Sequence, residues 1–254
     1  MSSGSTTATP SPSMSQSSNT TVAQRRFDDA VAAFRAGDPV LIHDAADREG
    51  ETDLVYPAAA VTPDDVARLR NDAGGLVCVA LSDAVCDAWE LPFAQDVIEH
   101  PAAAAHDLAY DERSSFSLTV NHRETFTGIT DEDRALTISA LGEAAADVAR
   151  ATELAGDAAA GAVTTDAERF AERFRAPGHV HLLRAAPNLL SDREGHTELA
   201  IALAEEAGIE PAVVVCEMMD DETGGALTPA AARTYAERHG FPYVEGTTLL
   251  SRLG

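Results

Sequence analysis

Residues 47–53 (DREGETD) place four carboxylates and one arginine around a single glycine. They follow the apolar run Pro39-Val40-Leu41-Ile42, which predicts a short buried strand. Side chains at a strand end are held rigidly and can converge on a ligand. Because like charges this close resist joint ionisation, we expect a cation or a shared proton to relieve them. The segment therefore predicts half of a metal or acid–base site.

A second polar segment, residues 192–197 (DREGHT), begins a predicted helix that spans 196–206. Its glycine lets a ligand approach the backbone. The free amides of the first helical turn, together with Arg193 and the hydroxyl of Thr197, would form a phosphate cradle. His196 can offer a neutral imidazole to a metal. The alternative is a capped helix with surface charges, and the segment alone does not decide between the two.

Three further polar features lie at strand ends or helix starts. Glu217 directly follows the apolar run 213–216, and a carboxylate in such a position often serves as an acid or a base. The alternative is a solvated strand end. His179 directly precedes the predicted strand 180–183, although a lone histidine is more often structural than catalytic. Segment 125–134 contains a helix cap, but its hydroxyls and arginine could also bind an anion.

The charge of the chain is strongly negative. Its 254 residues include 42 acidic and 18 basic side chains, for a net charge of −24, and all 18 basic residues are arginine. The acidic residues occur along the whole length, which indicates a solvated surface coat that salt screens. We interpret this coat as an adaptation to a high-salt cytoplasm. It argues against nucleic acid as a partner, because phosphate contacts require basic patches.

The cysteines and the apolar runs indicate a cytoplasmic location. Cys78, Cys86 and Cys216 form no CxxC pair and have no disulfide-type spacing. No apolar run approaches the ~18 residues that a membrane-spanning helix needs, and the N-terminus lacks the residue order of a signal peptide. We expect a reduced, soluble, cytoplasmic protein with no membrane partner.

Strands and helices alternate along the chain. Residues 1–21 are rich in Ser, Thr, Pro and Gly, so we expect a disordered tail. We expect residues 22–254 to form one α/β (α+β) domain with a mixed, largely buried β-sheet flanked by helices. Loops are predicted at 82–114, apart from a short helix near Trp89, and at 151–165. The chain should end in a short strand and a turn. Strands are predicted at 39–43, 54–56, 76–81, 117–120, 180–183 and 212–216, and helices at 22–36, 62–71, 131–150, 166–174, 196–206 and 228–240.

The polar segments, taken together and in their order, resemble one enzyme family. They are Asp47-Arg48-Glu49 with Asp53, residues 122–134, residues 177–180, residues 193–198 and Cys216-Glu217. This pattern resembles 3,4-dihydroxy-2-butanone 4-phosphate synthase of riboflavin biosynthesis, in its single-activity archaeal form, over residues 23–250. The resemblance implies a lyase that converts ribulose 5-phosphate into 3,4-dihydroxy-2-butanone 4-phosphate and formate. It also implies Mg²⁺ as cofactor, with Mn²⁺ as an alternative ion, and a homodimer.

The resemblance also implies roles for individual residues. Glu49 and His196 would be the metal ligands, and Glu217 and His179 the essential catalytic groups, with Asp53 assisting in proton transfer. Two departures from the family pattern are Pro187-Asn188, where two glycines are common, and a negative charge at Glu194. The residues implied to contact substrate are Arg48, Glu49, Asp53, Arg193, Glu194, Gly195, His196, Thr197 and Glu217.

Two other functions are compatible with parts of this pattern. Another metal-dependent sugar-phosphate isomerase or aldolase would share the metal site and the phosphate cradle but would release no formate. A non-catalytic metabolite-binding protein of the same fold would be expected to lack a metal ligand or Glu217, and this chain retains both.

The acidic coat predicts that salt stabilises the fold. Raising KCl from 0.1 M to 1 M shortens the screening length from about 10 Å to about 3 Å, so mutual repulsion of the carboxylates should fall and the melting temperature should rise. Scanning calorimetry measures this. A neutral osmolyte at equal osmolality is the control, because it strengthens burial without screening charge. An equal rise with the osmolyte would contradict the electrostatic explanation.

Overall fold

The computed structural model describes residues 14–44, 48–103, 113–155 and 166–254. Within these ranges seven strands form one sheet. No helix in this part of the chain is long and apolar enough to cross a membrane. The strands are β1 (Val40–His43), β2 (Thr52–Pro57), β3 (Cys78–Leu81), β4 (Phe116–His122), β5 (Phe174–Arg184), β6 (Ala212–Glu217) and β7 (Tyr243–Glu245).

One α-helix precedes β1, and the other helices lie between later strands or beyond the last one. Short 3₁₀ turns occur at Ala58–Ala60, Pro101–Ala103 and Leu189–Ser191. The α-helices are α1 (Met14–Ala36), α2 (Pro63–Asp72), α3 (Asp83–Ala88), α4 (Ala94–Val97), α5 (Asp131–Ala155), α6 (Asp166–Arg173), α7 (His196–Ala207), α8 (Pro229–His239) and α9 (Gly246–Leu253).

The sheet is mixed, with the order β4-β5-β3-β6-β2-β1-β7. The pairs β3/β5 and β1/β7 are parallel, and the other neighbours are antiparallel. Strand β3 is buried along its whole length, and β6 is buried up to its last residue, Glu217, because helices cover both faces. In β3, Val79 and Leu81 pack in the core beneath α2, α5 and α8, whereas Cys78 and Ala80 pack in the core beneath α1 and α7. The predicted single-domain fold class, a mixed sheet flanked by helices, is confirmed.

Several boundaries differ from the prediction, and the four largest differences concern α1, α5, β5 and the C-terminal turn. Helix α1 begins at Met14 rather than at residue 22; extending an existing helix costs little. Helix α5 likewise continues through residue 155, five residues into the predicted loop. Strand β5 begins at Phe174, six residues before the predicted start of this strand at residue 180. The final turn is helix α9, in which burial of Leu249 outweighs the weak helix propensity of its first residues.

Helix α5 crosses the 58–60 turn in close contact at Gly142. A Cβ atom added at Gly142 would lie 2.4 Å from the backbone nitrogen of Ala59 and 2.8 Å from its Cα. Both atoms belong to the backbone, so they cannot rotate away as a flexible side chain could. The sequence needs glycine here for close packing, although glycine is otherwise unfavourable inside a helix.

Gly142→Ala should destabilise the protein. The gain in helix propensity is about 1 kcal/mol, but overpacking against fixed backbone costs about 1–3 kcal/mol, so the overlap should decide the sign. Urea denaturation followed by circular dichroism measures the change. The matched control is Gly225→Ala, where the added Cβ would meet only the Thr223 hydroxyl at 3.6 Å. Stabilisation by Gly142→Ala would contradict this expectation and show that helix α5 and the 58–60 turn can move apart easily.

Candidate active site

Two carboxylates face each other across neighbouring strands at one end of the sheet. Asp53 of β2 pairs in register with Glu217 of β6, and Val215 of β6 pairs with Cys78 of β3. Asp53 is 1% exposed. The antiparallel pairing of β2 with β6 therefore brings Asp53 next to Glu217, although more than 160 residues separate them in sequence.

His196, the first residue of α7, lies between the carboxylates of Glu49 and Asp53. Its Nδ1 is 3.2 Å from Oε2 of Glu49, and its Nε2 is 3.5 Å from Oδ1 of Asp53. The imidazole is buried. The structure thus brings together Glu49 and His196, which the sequence analysis paired as metal ligands, and adds Asp53 to the same contact.

A small cavity of about 110 Å³ opens beside this cluster. A cleft of about 950 Å³ lies near the opposite end of β3 and β6 but contains none of the predicted site residues, so volume alone does not locate the site. Cys78 lines the small cavity and is buried there, and burial raises the pKa of its thiol. The residues that line the small cavity are Glu49, Asp53, Cys78, Ser114, Ser115, Phe116, Leu183, Arg193, His196, Thr197, Val215 and Glu217.

Burial and charge shift the pKa values of this cluster in opposite directions. Burial raises the pKa of Asp53 to about 7 against the attraction of His196. Burial alone would lower the pKa of His196, but the carboxylates of Asp53 and Glu49 outweigh it and raise that pKa to about 9. The hydrogen bond from His196 lowers the pKa of Glu49, whereas burial and nearby Glu217 raise the pKa of Glu51. The cluster therefore favours a bound proton or a bound cation.

The donor set fits a divalent cation. Ligand atoms of Asp44, Glu49 and His196 lie within 4.8 Å of one another. Among the described residues, the buried atoms Oδ1 of Asp53 and Nε2 of His196 have no hydrogen-bond partner. Carboxylate oxygens with one imidazole suit a hard cation that keeps open positions for water and ligand. Glu49, His196 and Asp44 are the residues that could hold it.

The predicted phosphate turn adopts a compact shape over the start of α7. Arg193 donates from Nη1 to Oε2 of Glu198 at 2.9 Å, and Oε1 of Glu198 accepts from the backbone N–H of Ala186 at 3.0 Å. A Cβ at Gly195 would lie 2.8 Å from Nη1 of Arg193, so a side chain there would displace the guanidinium from this position. Thr197 is buried and lines the cavity, whereas Glu194 is exposed. The negative charge of Glu194 therefore lies in solvent.

Four predicted site residues, Arg48, His179, Glu194 and Gly195, lie outside the cavity lining. Arg48 is paired with Asp44, its Nε lying 3.3 Å from Oδ2. His179 is exposed, on β5 two residues before His181, whose Cα pairs with that of Cys78. Asp47 lies outside the described residues. The structure thus gathers most of the predicted site around one cavity but leaves His179 on an open surface.

The sequence analysis gave no role to three residues that contact predicted site residues, Asp44, Glu198 and Asn121. Asp44 follows β1 directly, which is the same strand-end signal that singled out Glu217. Glu198 is fully buried in the first turn of α7, and its signal was an acid directly before the apolar run 199–204. Asn121 hydrogen-bonds His179, but nothing in its local sequence distinguishes it from an ordinary strand-end asparagine.

Comparison with known proteins agrees with this geometry. The family model for 3,4-dihydroxy-2-butanone 4-phosphate synthase matches residues 28–252. This chain belongs to that family. The synthase of Archaeoglobus fulgidus is 48% identical over 233 residues, which cover 88% of this chain and 92% of the relative.

A second archaeal relative and a solved structure support the same assignment. The synthase of Methanosarcina mazei is 46% identical, over 87% of this chain and 88% of the relative. A crystal structure of a 3,4-dihydroxy-2-butanone 4-phosphate synthase in complex with two magnesium ions has a TM-score of 0.69 and 28% identity, over 88% of this chain and 94% of that chain. The resemblance stated from the sequence is confirmed.

Glu198→Ala should destabilise the protein, because it leaves the Arg193 guanidinium and the Ala186 N–H without this carboxylate. Breaking a buried ion pair from one side costs about 3–5 kcal/mol, so we expect a loss near 3 kcal/mol in urea denaturation. Glu198→Gln should cost less, since its oxygen can still accept from Ala186. The control is Asp147→Ala, which breaks an exposed pair with Arg150 and should cost about 0.5 kcal/mol. Equal losses at the two sites would contradict this role of Glu198.

Proposed function

We propose that this protein converts D-ribulose 5-phosphate into 3,4-dihydroxy-2-butanone 4-phosphate and formate in riboflavin biosynthesis. The observation that carries the proposal is the contact of Glu49, His196 and Asp53 beside Glu217, on a cavity that Arg193 and Thr197 also line. The atoms balance, because the five-carbon substrate divides into a four-carbon phosphate and formic acid without net oxidation. The reaction therefore needs proton transfers and charge stabilisation rather than an external oxidant.

The residues of the cavity suit these requirements. Arg193, Thr197 and the first amides of α7 bind the substrate phosphate. Glu49 and His196, with Asp44, hold Mg²⁺, or Mn²⁺ as an alternative ion. When bound, the cation stabilises negative charge that develops on substrate oxygens.

Proton transfer falls to other side chains. Glu217 and Asp53 stand side by side on the sheet, and burial raises the pKa of Asp53 to about 7, so Asp53 can bind and release a proton near neutral pH. Arg48 and Glu194 complete the substrate contacts at the rim. His179 supplies a further acid–base group from outside the cavity lining.

The reaction products distinguish the proposed synthase from a rival isomerase or aldolase. Purified protein incubated with ribulose 5-phosphate and Mg²⁺ should release one formate for each substrate consumed, measured with formate dehydrogenase. The four-carbon ketone phosphate should appear in an equal amount, as measured by ¹³C NMR. Consumption of substrate without formate would favour the rival.

Removal of either proposed metal ligand should abolish turnover and metal binding together. Glu49→Ala and His196→Ala should each lower formate release by at least about a hundredfold, while calorimetric titration with MgCl₂ alone shows no binding. The matched controls are Glu143→Ala and His100→Ala, which remove the same side chains from exposed positions. Full Mg²⁺ affinity in either ligand variant would contradict the proposed ligand set.

We further propose a homodimer in which the segment 121–134 and His179 face the partner's cavity. Phe126 is 94% exposed and Ile129 is 52% exposed, which is unusual for large apolar side chains and typical of an interface. His179 is exposed as well, outside the lining of its own cavity. A second copy of the chain would cover the apolar residues and bring an imidazole to each site.

Mixing two inactive variants tests this assembly. If His179 acts on the partner's cavity, Glu49→Ala and His179→Gln should regain activity together, since each heterodimer has one site in which both residues are intact. An equimolar mixture, exchanged by mild denaturation, should recover roughly a quarter of wild-type activity. Light scattering confirms the dimer. No recovery in a mixture that contains heterodimers would contradict transfer of His179 between subunits.

The acidic surface supports the proposal that this protein works in a cytoplasm of high salt. The net charge of −24 and the use of arginine alone as the basic residue support a halophilic protein whose solubility depends on hydrated carboxylates.

A further inference from the structure

Glu217, the last residue of β6, has a neighbour on one side only among the strands that the structure describes. On the β2 side its Cα pairs with that of Asp53, which itself also pairs with Ile42 of β1. On the β3 side the ladder ends two residues earlier, where Val215 pairs with Cys78. Like charges opposite each other on paired strands destabilise the pairing, so Glu217 and Asp53 tend to separate. Glu217 therefore needs a restraint that Asp53, held between two strands, does not need.

The segment 73–75, between α2 and β3, supplies this restraint. The backbone N–H of Gly74 donates to the carbonyl of Glu217 at 2.6 Å. On the β2 side, the N–H of Met218 donates to the carbonyl of Thr52 at 2.8 Å. The carbonyl of Glu217 and the N–H of Met218 belong to the same planar peptide group. Both ends of that group are therefore hydrogen-bonded, which fixes the backbone directly after Glu217.

The segment approaches Glu217 more closely than a side chain at position 74 would allow. A Cβ at Gly74 would lie 2.9 Å from the carbonyl oxygen of Glu217 and 2.9 Å from Cγ of Met219. The Met219 side chain is 38% exposed and can rotate away, but the carbonyl belongs to the backbone of the sheet. Gly74 is not among the glycines with positive φ. Glycine is therefore needed here for close approach and not for an unusual backbone conformation.

We propose that Gly74 is a positioning residue for Glu217. Its N–H and its missing side chain allow segment 73–75 to hold the peptide group after Glu217, and this fixes the carboxylate on the cavity that Glu217 lines. Proton transfer requires the acid or base within hydrogen-bond distance of the reacting group, so a displaced strand end should slow the reaction more than it weakens binding. This inference rests on the proposed function, in which Glu217 transfers protons.

Gly74→Ala tests the inference, because it adds only the Cβ atom that meets the Glu217 carbonyl. Formate release from ribulose 5-phosphate should show a kcat lowered by about tenfold to a hundredfold, within the range that one general acid or base contributes. KM should change by less than about threefold. Calorimetric titration with MgCl₂ alone should show unchanged affinity, since the proposed ligands Glu49 and His196 lie on other segments. The control is Gly225→Ala, whose Cβ would meet only the Thr223 hydroxyl at 3.6 Å, and it should leave kcat unchanged.

Urea denaturation separates positioning from packing. A lower free energy of unfolding in Gly74→Ala with unchanged kcat would show that Gly74 serves packing alone, and would overturn the inference. The double variant Gly74→Ala/Met219→Ala separates the two contacts of the added Cβ. It removes the contact with Cγ of Met219 but keeps the contact with the Glu217 carbonyl, so kcat should stay low. Recovery of the wild-type kcat would show that the added Cβ acts through Met219, and would also overturn the inference.

The hydrogen bond itself can be observed without turnover. In deuterated protein labelled with ¹⁵N and ¹³C, a scalar coupling should join the amide nitrogen of Gly74 to the carbonyl carbon of Glu217, and Gly74→Ala should weaken it. Absence of this coupling in the wild type would overturn the inference. If Gly74→Ala does not fold, Gly75→Ala replaces it, because its Cβ meets nothing within 4 Å but its φ of +81° is strained for alanine. That variant should displace the segment and lower kcat, and an unchanged kcat would overturn the inference.

Failure of the proposed function is recognised separately. The wild-type protein would then release no formate, whether or not the coupling between Gly74 and Glu217 is observed. Failure of the positioning role alone would leave wild-type formate release intact and Gly74→Ala as active as Gly225→Ala.

Discussion

Negative charge buried at one end of the sheet is the constraint on which the rest of this structure depends. The register of β2 with β6 places Asp53 directly beside Glu217, and Glu49 reaches the same place through His196. Carboxylates cannot all remain ionised in such a place unless positive charge accompanies them. His196 supplies part of that charge, and the carboxylates raise its pKa to about 9. A divalent cation can replace the proton, which links the burial of this cluster directly to metal dependence.

The surrounding fold is arranged to keep these groups fixed. Helices cover both faces of the central strands, so Asp53 cannot relax its charge by turning toward solvent. The start of α7 brings His196 to the sheet, and the buried Glu198 holds the turn that precedes it through Arg193 and the Ala186 N–H. Burial raises the pKa of Glu198 despite this arginine, so the ion pair serves to position the turn at an electrostatic cost. Catalysis requires the same preorganisation, because fixed groups stabilise the charge that develops in the transition state.

Local pattern was enough to predict most elements and to single out several residues of the candidate site, but not their mutual placement. The apolar runs before Glu217 and after residue 38 predicted β6 and β1, and the Gly-His-Thr sequence predicted the start of α7. The pairing of β2 with β6, in contrast, joins residues far apart in sequence, so no periodicity could predict that Asp53 adjoins Glu217. Asn121 was missed for the same reason, since its partner His179 reaches it only because β5 bulges. Asp44 carried a usable signal, as a carboxylate directly after a strand.

The division of the proposed acid–base groups between two surfaces has a consequence for how activity arises. Asp53 and Glu217 line the cavity of their own chain, whereas His179 lies on an exposed loop that a hydrogen bond to Asn121 holds in place. A rigid loop is useful only if the cavity that it faces is equally well fixed. The exposed Phe126 offers apolar area on which a second copy of the chain could pack. On the proposed dimer, each chain would present the His179 imidazole to a cavity whose carboxylates would hold the proposed metal. Association would then complete the site without rearrangement, because both halves are fixed before they meet.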